Sequence, residues 1–576
     1  MTSVKNQSPI NYTKPPFLNI SDTSWAEEQL RKLSLEEKIG QLLHVAAYSN
    51  RDQAHLDFLQ ELVEKENIGG LIFFQGGPDA QARMTNHLQA KSKVPLLISI
   101  DGEWGLAMRL NDTIAFPYQL ALGAIEQNQN DLIYEMGRQI GKQCKALGIH
   151  VNFAPSVDIN NNPANPVIGF RSFGEDKSLV TAKALAYMQG MQEEGILACA
   201  KHFPGHGDTD SDSHFTLPLI SHSKEHLVDN ELYPFQKLME KGVGSVMTAH
   251  LNVPALEPQN SLPSTLSKAI VTDLLKNEMG FEGLVFTDAL DMKGVAANYQ
   301  PGEIETKAFL AGNDVLLFTV DVPKAKRGIL QAVEQGLISE NEIDKRCYKQ
   351  LLAKQWAGLD RYKPIDTKEL AMELHSQEAV RLNLQLSEEA ITNYAAQSSF
   401  LPIKKEDETA LVNVFGDPDA EVKLVKAFDA TLLHHFKGKN ENKGEVSRTL
   451  FTELLSKNLA VKAFDIPFLE KEQKVELNTF KAFKKRIIAL HLTGMKTASG
   501  FGITKVMLLL VDEFGEDDNT LFVLFGNVYA LNVLKGLKKA KNLLLCYQDS
   551  NDMQQAAYQI IVGKTEAKGK LSVKIA

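Results

Sequence analysis

Short apolar runs recur eight times between residues 41 and 319: Gln41–Ala47, Gly69–Phe74, Pro95–Ile100, His150–Phe153, Leu197–Ala200, Ser245–Thr248, Leu284–Thr287 and Asp314–Thr319. Each is strand-sized, and amphipathic stretches of helical length lie between them: Asp79–Ser92, Asp131–Leu147, Ser178–Glu194, Leu227–Lys241, Leu266–Met279 and Glu303–Ala311. Apolar strands alternating eightfold with helices predict a (β/α)8 TIM-like barrel. Several runs stop on a polar residue: Asp101 after the third, Lys201 and His202 after the fifth, His250 after the sixth and Asp288 after the seventh. In such a barrel these positions converge on one mouth.

Beyond Ile338 the pattern turns helical, charged and strand-poor, and Leu370–Asn393 reads as a connecting helix. Seven more apolar runs follow: Ala410–Phe415, Leu432–His435, Arg486–Leu492, Val506–Val511, Leu521–Phe525, Asn542–Tyr547 and Leu571–Ile575. They predict a second, doubly wound α/β sandwich domain. The expected division is a polar tail over 1–24, a barrel over 25–360, a helical linker over 361–396 and the α/β domain over 397–576. Gly416 and Gly526 follow strands without completing a GxGxxG, so a dinucleotide site has no support.

Composition narrows the function class. A net charge of −10 leaves no basic surplus for a phosphate backbone, which argues against nucleic acid as partner. No run of eighteen apolar residues exists, so no membrane span is expected. Met1–Leu18 lacks the apolar core of a signal peptide, which predicts a cytoplasmic location, or a periplasmic or envelope one if a leader has been removed. The scattered Cys144, Cys199, Cys347 and Cys546 read as buried packing thiols.

The richest segment is Lys201–His214, where three histidines, a lysine and three aspartates follow an apolar strand. In Asp212-Ser213-His214, residues two apart project to one side, so the carboxylate reaches the imidazole and tunes it for proton transfer near neutral pH. A loop-stabilising hydrogen bond is the plainer reading of that pair. His202, His206, Asp208 and His214 also offer metal ligands, but Pro204 and Gly205 break any helical register between the first two histidines, and no metal is expected. Asp288 ends an almost wholly apolar strand. An isolated Asp would read as a helix cap, but at a barrel mouth it is a catalytic candidate.

These motifs together resemble family 3 glycoside hydrolases, in the bacterial β-N-acetylglucosaminidase branch. The resemblance runs through Ile100-Asp101-Gly102-Glu103, Arg109, Phe116-Pro117, Phe153–Asp158, Asn165–Gly169, Arg171–Gly174, Lys201–His214, Met247–His250 and Thr287–Leu290. It implies Asp288 as nucleophile, His214 as general acid/base and Asp212 as its orienting partner. It implies that Asp101, Arg109, Arg171, Lys201 and His202 grip the terminal sugar, and that His206 and Asp208 shape the loop. The activity implied is retaining exo-hydrolysis of terminal β-linked N-acetylglucosamine from peptidoglycan fragments or chito-oligosaccharides, through a glycosyl-aspartate and without a cofactor. The expected partner is thus a small carbohydrate, and the expected state a monomer or weak dimer. The alternative is a phosphorylase, because an imidazole does not repel phosphate as a carboxylate would. A non-catalytic sugar-binding protein is disfavoured by the intact Asp288, Asp212 and His214. One departure stands out: the pattern carries two glycines after Asp-x-Glu, whereas here Trp104 takes the first place, and its indole is expected to line the mouth.

Overall fold

The computed structural model describes residues 13–212, 216–259, 261–296, 299–395, 400–420, 448–468 and 475–575. The chain divides into two compact units that are not contiguous in sequence. The first comprises Met1–Phe116, Asn130–Ile159 and Lys177–Val380, and the second Pro117–Gln129, Asn160–Asp176 and Arg381–Ala576.

The first unit is a parallel eight-stranded barrel. Its strands are β1 (Leu43–Tyr48), β2 (Gly70–Gln75), β3 (Leu97–Ile100), β4 (Val151–Asn152), β5 (Leu197–Phe203), β6 (Ser245–Thr248), β7 (Leu284–Thr287) and β8 (Leu316–Leu317). They follow the order β7-β6-β5-β4-β3-β2-β1-β8, and a parallel bridge between Phe286 and Val315 joins the two ends. Strands β3, β5, β6 and β7 are buried throughout, as expected for a sheet covered on its outside by helices. Phe153 and Phe286 meet edge to face, 5.2 Å between centroids.

Helix boundaries follow local chemistry. Ser34 and Glu37 form a reciprocal capping box on Leu35–Gln41, and Pro78 opens Pro78–Gln89. The expected helix Leu227–Lys241 is instead two, Lys224–Asp229 and Tyr233–Met239, with Pro234 in the first turn of the second. Proline's missing N–H suits a helix start and not an interior. The Leu266–Met279 segment is a short 3-10 turn, Ser264–Leu266, followed by a π-helical stretch, Ala269–Glu278.

The second unit holds a six-stranded sheet in the order β11-β10-β12-β13-β14-β9. Its strands are β9 (Thr392–Ala395), β10 (Thr409–Phe415), β11 (Val461–Ile466), β12 (Lys485–His491), β13 (Thr520–Phe525) and β14 (Leu543–Leu545), parallel except for β9. Three expectations need correction here. Val506–Val511 is not a strand but part of the helix Lys505–Phe514, capped by Thr504 and burying Met507, Leu510, Val511 and Phe514 at helical spacing. Leu571–Ile575 forms no strand. The expected connecting helix is instead two, Leu370–Leu374 and Gln377–Ala390, after which the chain forms edge strand β9. The Leu432–His435 run lies outside the described residues.

Candidate active site

The polar residues that end the barrel strands form two linked charge networks. In the first, Asp101, just past β3, receives Lys201 Nζ at 2.9 Å and Arg109 Nη2 at 2.6 Å. Lys201 also lies 2.9 Å from Glu103, whose side chain is fully buried. The Arg109 guanidinium stacks over the Phe74 ring at the end of β2, 3.7 Å from its centroid. Burial works to raise the Asp101 pKa, but the Lys201 ammonium and the Arg109 guanidinium outweigh it and hold the carboxyl well below its usual range.

The second network centres on Asp158, beyond β4. It accepts from His202 Nδ1 at 2.7 Å, from the His206 amide at 2.7 Å and from Ser156 Oγ at 3.0 Å, and the His202 amide approaches both of its oxygens at 3.2 Å. Against the raising effect of burial, the neighbouring His202 and His206 keep this carboxyl below its ordinary value. A buried carboxylate on Nδ1 fixes the orientation of the His202 ring.

Strand β5 runs past Ala200 to Phe203, so Lys201 and His202 are strand residues rather than the loop residues expected. The extension is held by a bridge between Ser156 and Lys201 and by the Val157 amide on the Lys201 carbonyl. The β5–β6 register shifts between Ala200 and Phe203, the kind of irregularity that re-aims side chains near a barrel rim.

Asp288 directly follows β7. Its amide binds the Thr248 carbonyl at 2.9 Å, and its Oδ1 accepts from the Ala289 amide at 2.8 Å. His250 props this turn from below, with Nε2 2.9 Å from the Ala289 carbonyl and Nδ1 2.8 Å from Thr265 Oγ1. Cys199, on β5, is buried. Burial pushes its pKa up to about 12, Ser245 and Lys201 pull the other way, and Asp101 and Asp288 add to the rise.

Asp212 is partly exposed, and its carbonyl accepts from the Thr216 amide at 3.0 Å. His214 lies outside the described residues. His206 Nδ1 pairs with Thr209 Oγ1 at 2.9 Å, and Asp208 pairs with His222 Nε2 at 2.6 Å. Arg171 belongs to the second unit, at the end of the short 3-10 turn Gly169–Arg171. Asn165 Oδ1 organises that turn's approach by accepting from the Val167 and Ile168 amides. Trp104 is buried, 8% exposed, with its carbonyl taken by the Phe116 amide.

Sequence reasoning placed Asp158 and Glu103 inside motifs without giving either a role. A lone carboxylate within a short apolar segment was the available signal, since burying one unpaired is costly. All four cysteines are free and buried.

Residues 34–351, more than half the chain, match the family model described as the glycosyl hydrolase family 3 N-terminal domain. The chain belongs to glycosyl hydrolase family 3. It is 38% identical over 285 residues to beta-hexosaminidase A of Pseudoalteromonas piscicida, an alignment covering 46% of this chain and 48% of that protein. The chain thus spans about half the length of that relative. It is 34% identical over 331 residues to the beta-hexosaminidase LpqI of Mycobacterium tuberculosis, covering 54% of this chain and 81% of that one. Among solved structures, a glycoside hydrolase family 3 beta-N-acetylglucosaminidase from Paenibacillus sp. str. FPU-7 superposes with a TM-score of 0.76 at 30% identity. That match covers 94% of this chain and 99% of the other.

Proposed function

We propose that this protein is a retaining exo-β-N-acetylglucosaminidase acting on peptidoglycan fragments or chito-oligosaccharides. The observation that carries the reading is the placement of Asp288. It ends β7 on a turn braced by His250, in the same parallel barrel whose β3 and β5 present Asp101 and Lys201. A carboxylate at the C-terminal end of a barrel strand suits attack on a sugar bound at the barrel mouth. Similarity to beta-hexosaminidases supports the choice of sugar.

In this reading an Asp288 oxygen attacks the anomeric carbon while the glycosidic bond breaks, and protonated His214, oriented by Asp212, gives its proton to the leaving oxygen. Neutral His214 then takes a proton from water. The water oxygen attacks the same carbon and displaces Asp288, releasing the sugar with its β configuration retained. Asp101, Arg109, Lys201 and His202 hold the sugar hydroxyls and the acetamido group. An imidazole in place of a second carboxylic acid adds no negative charge beside Asp288, so the pair needs no mutual repulsion to separate their roles.

The test is an aryl β-N-acetylglucosaminide assay. Asp288→Asn should lower kcat on the order of 10⁴-fold or more, as loss of a nucleophile does. His214→Ala should keep the first step with a good leaving group and accumulate covalent intermediate. Normal turnover by either variant refutes its assigned role. Running the assay with millimolar phosphate separates free sugar from sugar 1-phosphate, and predominance of the latter would replace hydrolysis by phosphorolysis.

A further inference from the structure

Asp208 does not turn toward the sugar-gripping networks. It pairs with His222, which opens a second cluster of chemistry-bearing side chains on the segment after the loop. Among the described residues, His222, His226 and Glu231 bring one potential ligand atom each to within 4.8 Å of one another. The imidazoles of His222 and His226 stack at 4.1 Å between centroids, 27° from parallel. His226 Nε2 lies 3.5 Å from Glu231 Oε1, and Asp208 Oδ2 lies 2.6 Å from His222 Nε2.

We propose that His222, His226 and Glu231, supported by Asp208, bind a divalent transition-metal ion of the zinc type. Two imidazoles and a carboxylate form the mixed nitrogen and oxygen set such ions accept, whereas calcium and magnesium favour oxygen alone. Glu231 carries the second, independent observation. Its side chain is 3% exposed; Asn230 Nδ2 donates to its Oε1 at 3.0 Å, yet its Oε2 is enclosed without a hydrogen-bond partner among the described residues. A buried carboxylate oxygen left unsatisfied costs about 1–3 kcal/mol or more, and a cation ligated at this carboxylate removes that cost.

Histidine–carboxylate ion pairing alone explains the cluster less well. The Glu231–His226 separation of 3.5 Å is long for a charge-assisted hydrogen bond. A metal ion draws all three groups to about 2.0–2.2 Å from one centre. The pairing of Asp208 with His222 then resembles the carboxylate that commonly orients a metal-bound histidine.

The site also has a mechanical consequence. Gly205, in the loop after β5, has φ +128°, and a Cβ there would come within 2.7 Å of the Glu231 Cβ. The loop therefore touches this cluster at Gly205 and at Asp208. A bound ion would staple the first half of the loop to the Lys224–Asp229 helix, four residues before Asp212.

The experiment is zinc titration of the chelator-treated full-length chain by calorimetry, with cobalt(II) absorption as the spectroscopic signature. Wild type should bind about one equivalent of zinc and develop visible cobalt bands. His226→Ala, chosen because this ring is 45% exposed, should abolish both. Asp208→Asn should weaken binding about 10–100-fold, as loss of an orienting partner does. Circular dichroism melting checks that the variants fold. Absence of stoichiometric zinc binding by wild type at about 100-fold molar excess would overturn the proposal. Binding unchanged in His226→Ala would also overturn it, by placing the ion elsewhere, for instance on His202 and His206.

Discussion

Replacing Lys201 by Met tests whether the mouth is held by charge or by packing. The Lys201 ammonium lies 2.9 Å from both Asp101 and Glu103, with its side chain 2% exposed. At that spacing one unit-charge pair is worth about 6 kcal/mol at an effective dielectric constant of about 20, and desolvation of the ions offsets most of it. Removing one member of a buried ion pair costs about 3–5 kcal/mol because the abandoned charge stays buried. Arg109 still neutralises Asp101 at 2.6 Å, so the lower end, about 3 kcal/mol, is expected.

The pH dependence identifies the cause. In the wild type the Asp101 pKa is depressed, so its stabilising contribution is complete above the unfolded value of about 3.9 and is lost as pH falls through the folded value. In the Met variant Glu103 and Asp101 both lose the Lys201 ammonium, though Asp101 keeps Arg109, and both protonate more readily. The deficit should therefore be largest near pH 7 and shrink toward pH 4. Urea unfolding of both proteins at pH 4.5, 6 and 7.5 measures it without relying on activity, which Lys201 also serves in the proposed mechanism. A deficit of equal size at all three pH values would refute the electrostatic reasoning and leave lost packing as the cause.

Two further outcomes follow from other buried groups. Asp158→Asn sets an amide against donors from His202 and His206, so kcat/KM for the aryl glycoside should fall about 10–100-fold, the worth of a charged hydrogen bond, with circular dichroism confirming the fold. Lys354 is wholly buried against Gln41 Oε1 at 2.7 Å, and burial pushes its pKa down to about 7. Between that value and its unfolded value the unfolded chain binds more protons, so wild-type stability rises with pH in that window. Lys354→Met should flatten the rise and stabilise most at low pH, by up to about 5 kcal/mol; a gain independent of pH by chemical denaturation would contradict this.

The barrel was legible because parallel strands covered on both faces are uninterrupted apolar runs; Leu284–Thr287 and Ser245–Thr248 match their strands residue for residue. The second unit was harder to read. Among the described residues Val461–Ile466 pairs with β10 alone, at the sheet's edge, and is half-buried or exposed up to the buried Ile466, so it produced no apolar run. Val506–Val511 produced one, yet Leu508 and Leu509 face solvent at 38% and 43% exposure, and Thr504 as a helix cap was the overlooked cue. Asp101, Lys201 and His202, read as candidates from their positions at strand ends, lie in the two charge networks. Asp158 and Glu103 were passed over because their worth lies in which cations and amides fold against them, and that is set by contacts 44 and 98 residues away along the chain.

The interleaving of the two units limits how this gene can be cut. Pro117–Gln129 and Asn160–Asp176 are translated amid the barrel strands, yet their bonding partners arrive last: Gln548 for the Tyr118 amide, Tyr529 for Asn160 and Ser572 for the Glu175 amide. A nascent chain released near residue 380 would display both excursions with those atoms unsatisfied. Harvesting the barrel as a stand-alone catalyst would therefore require redesigning two loops inside it, beyond placing a stop codon after it.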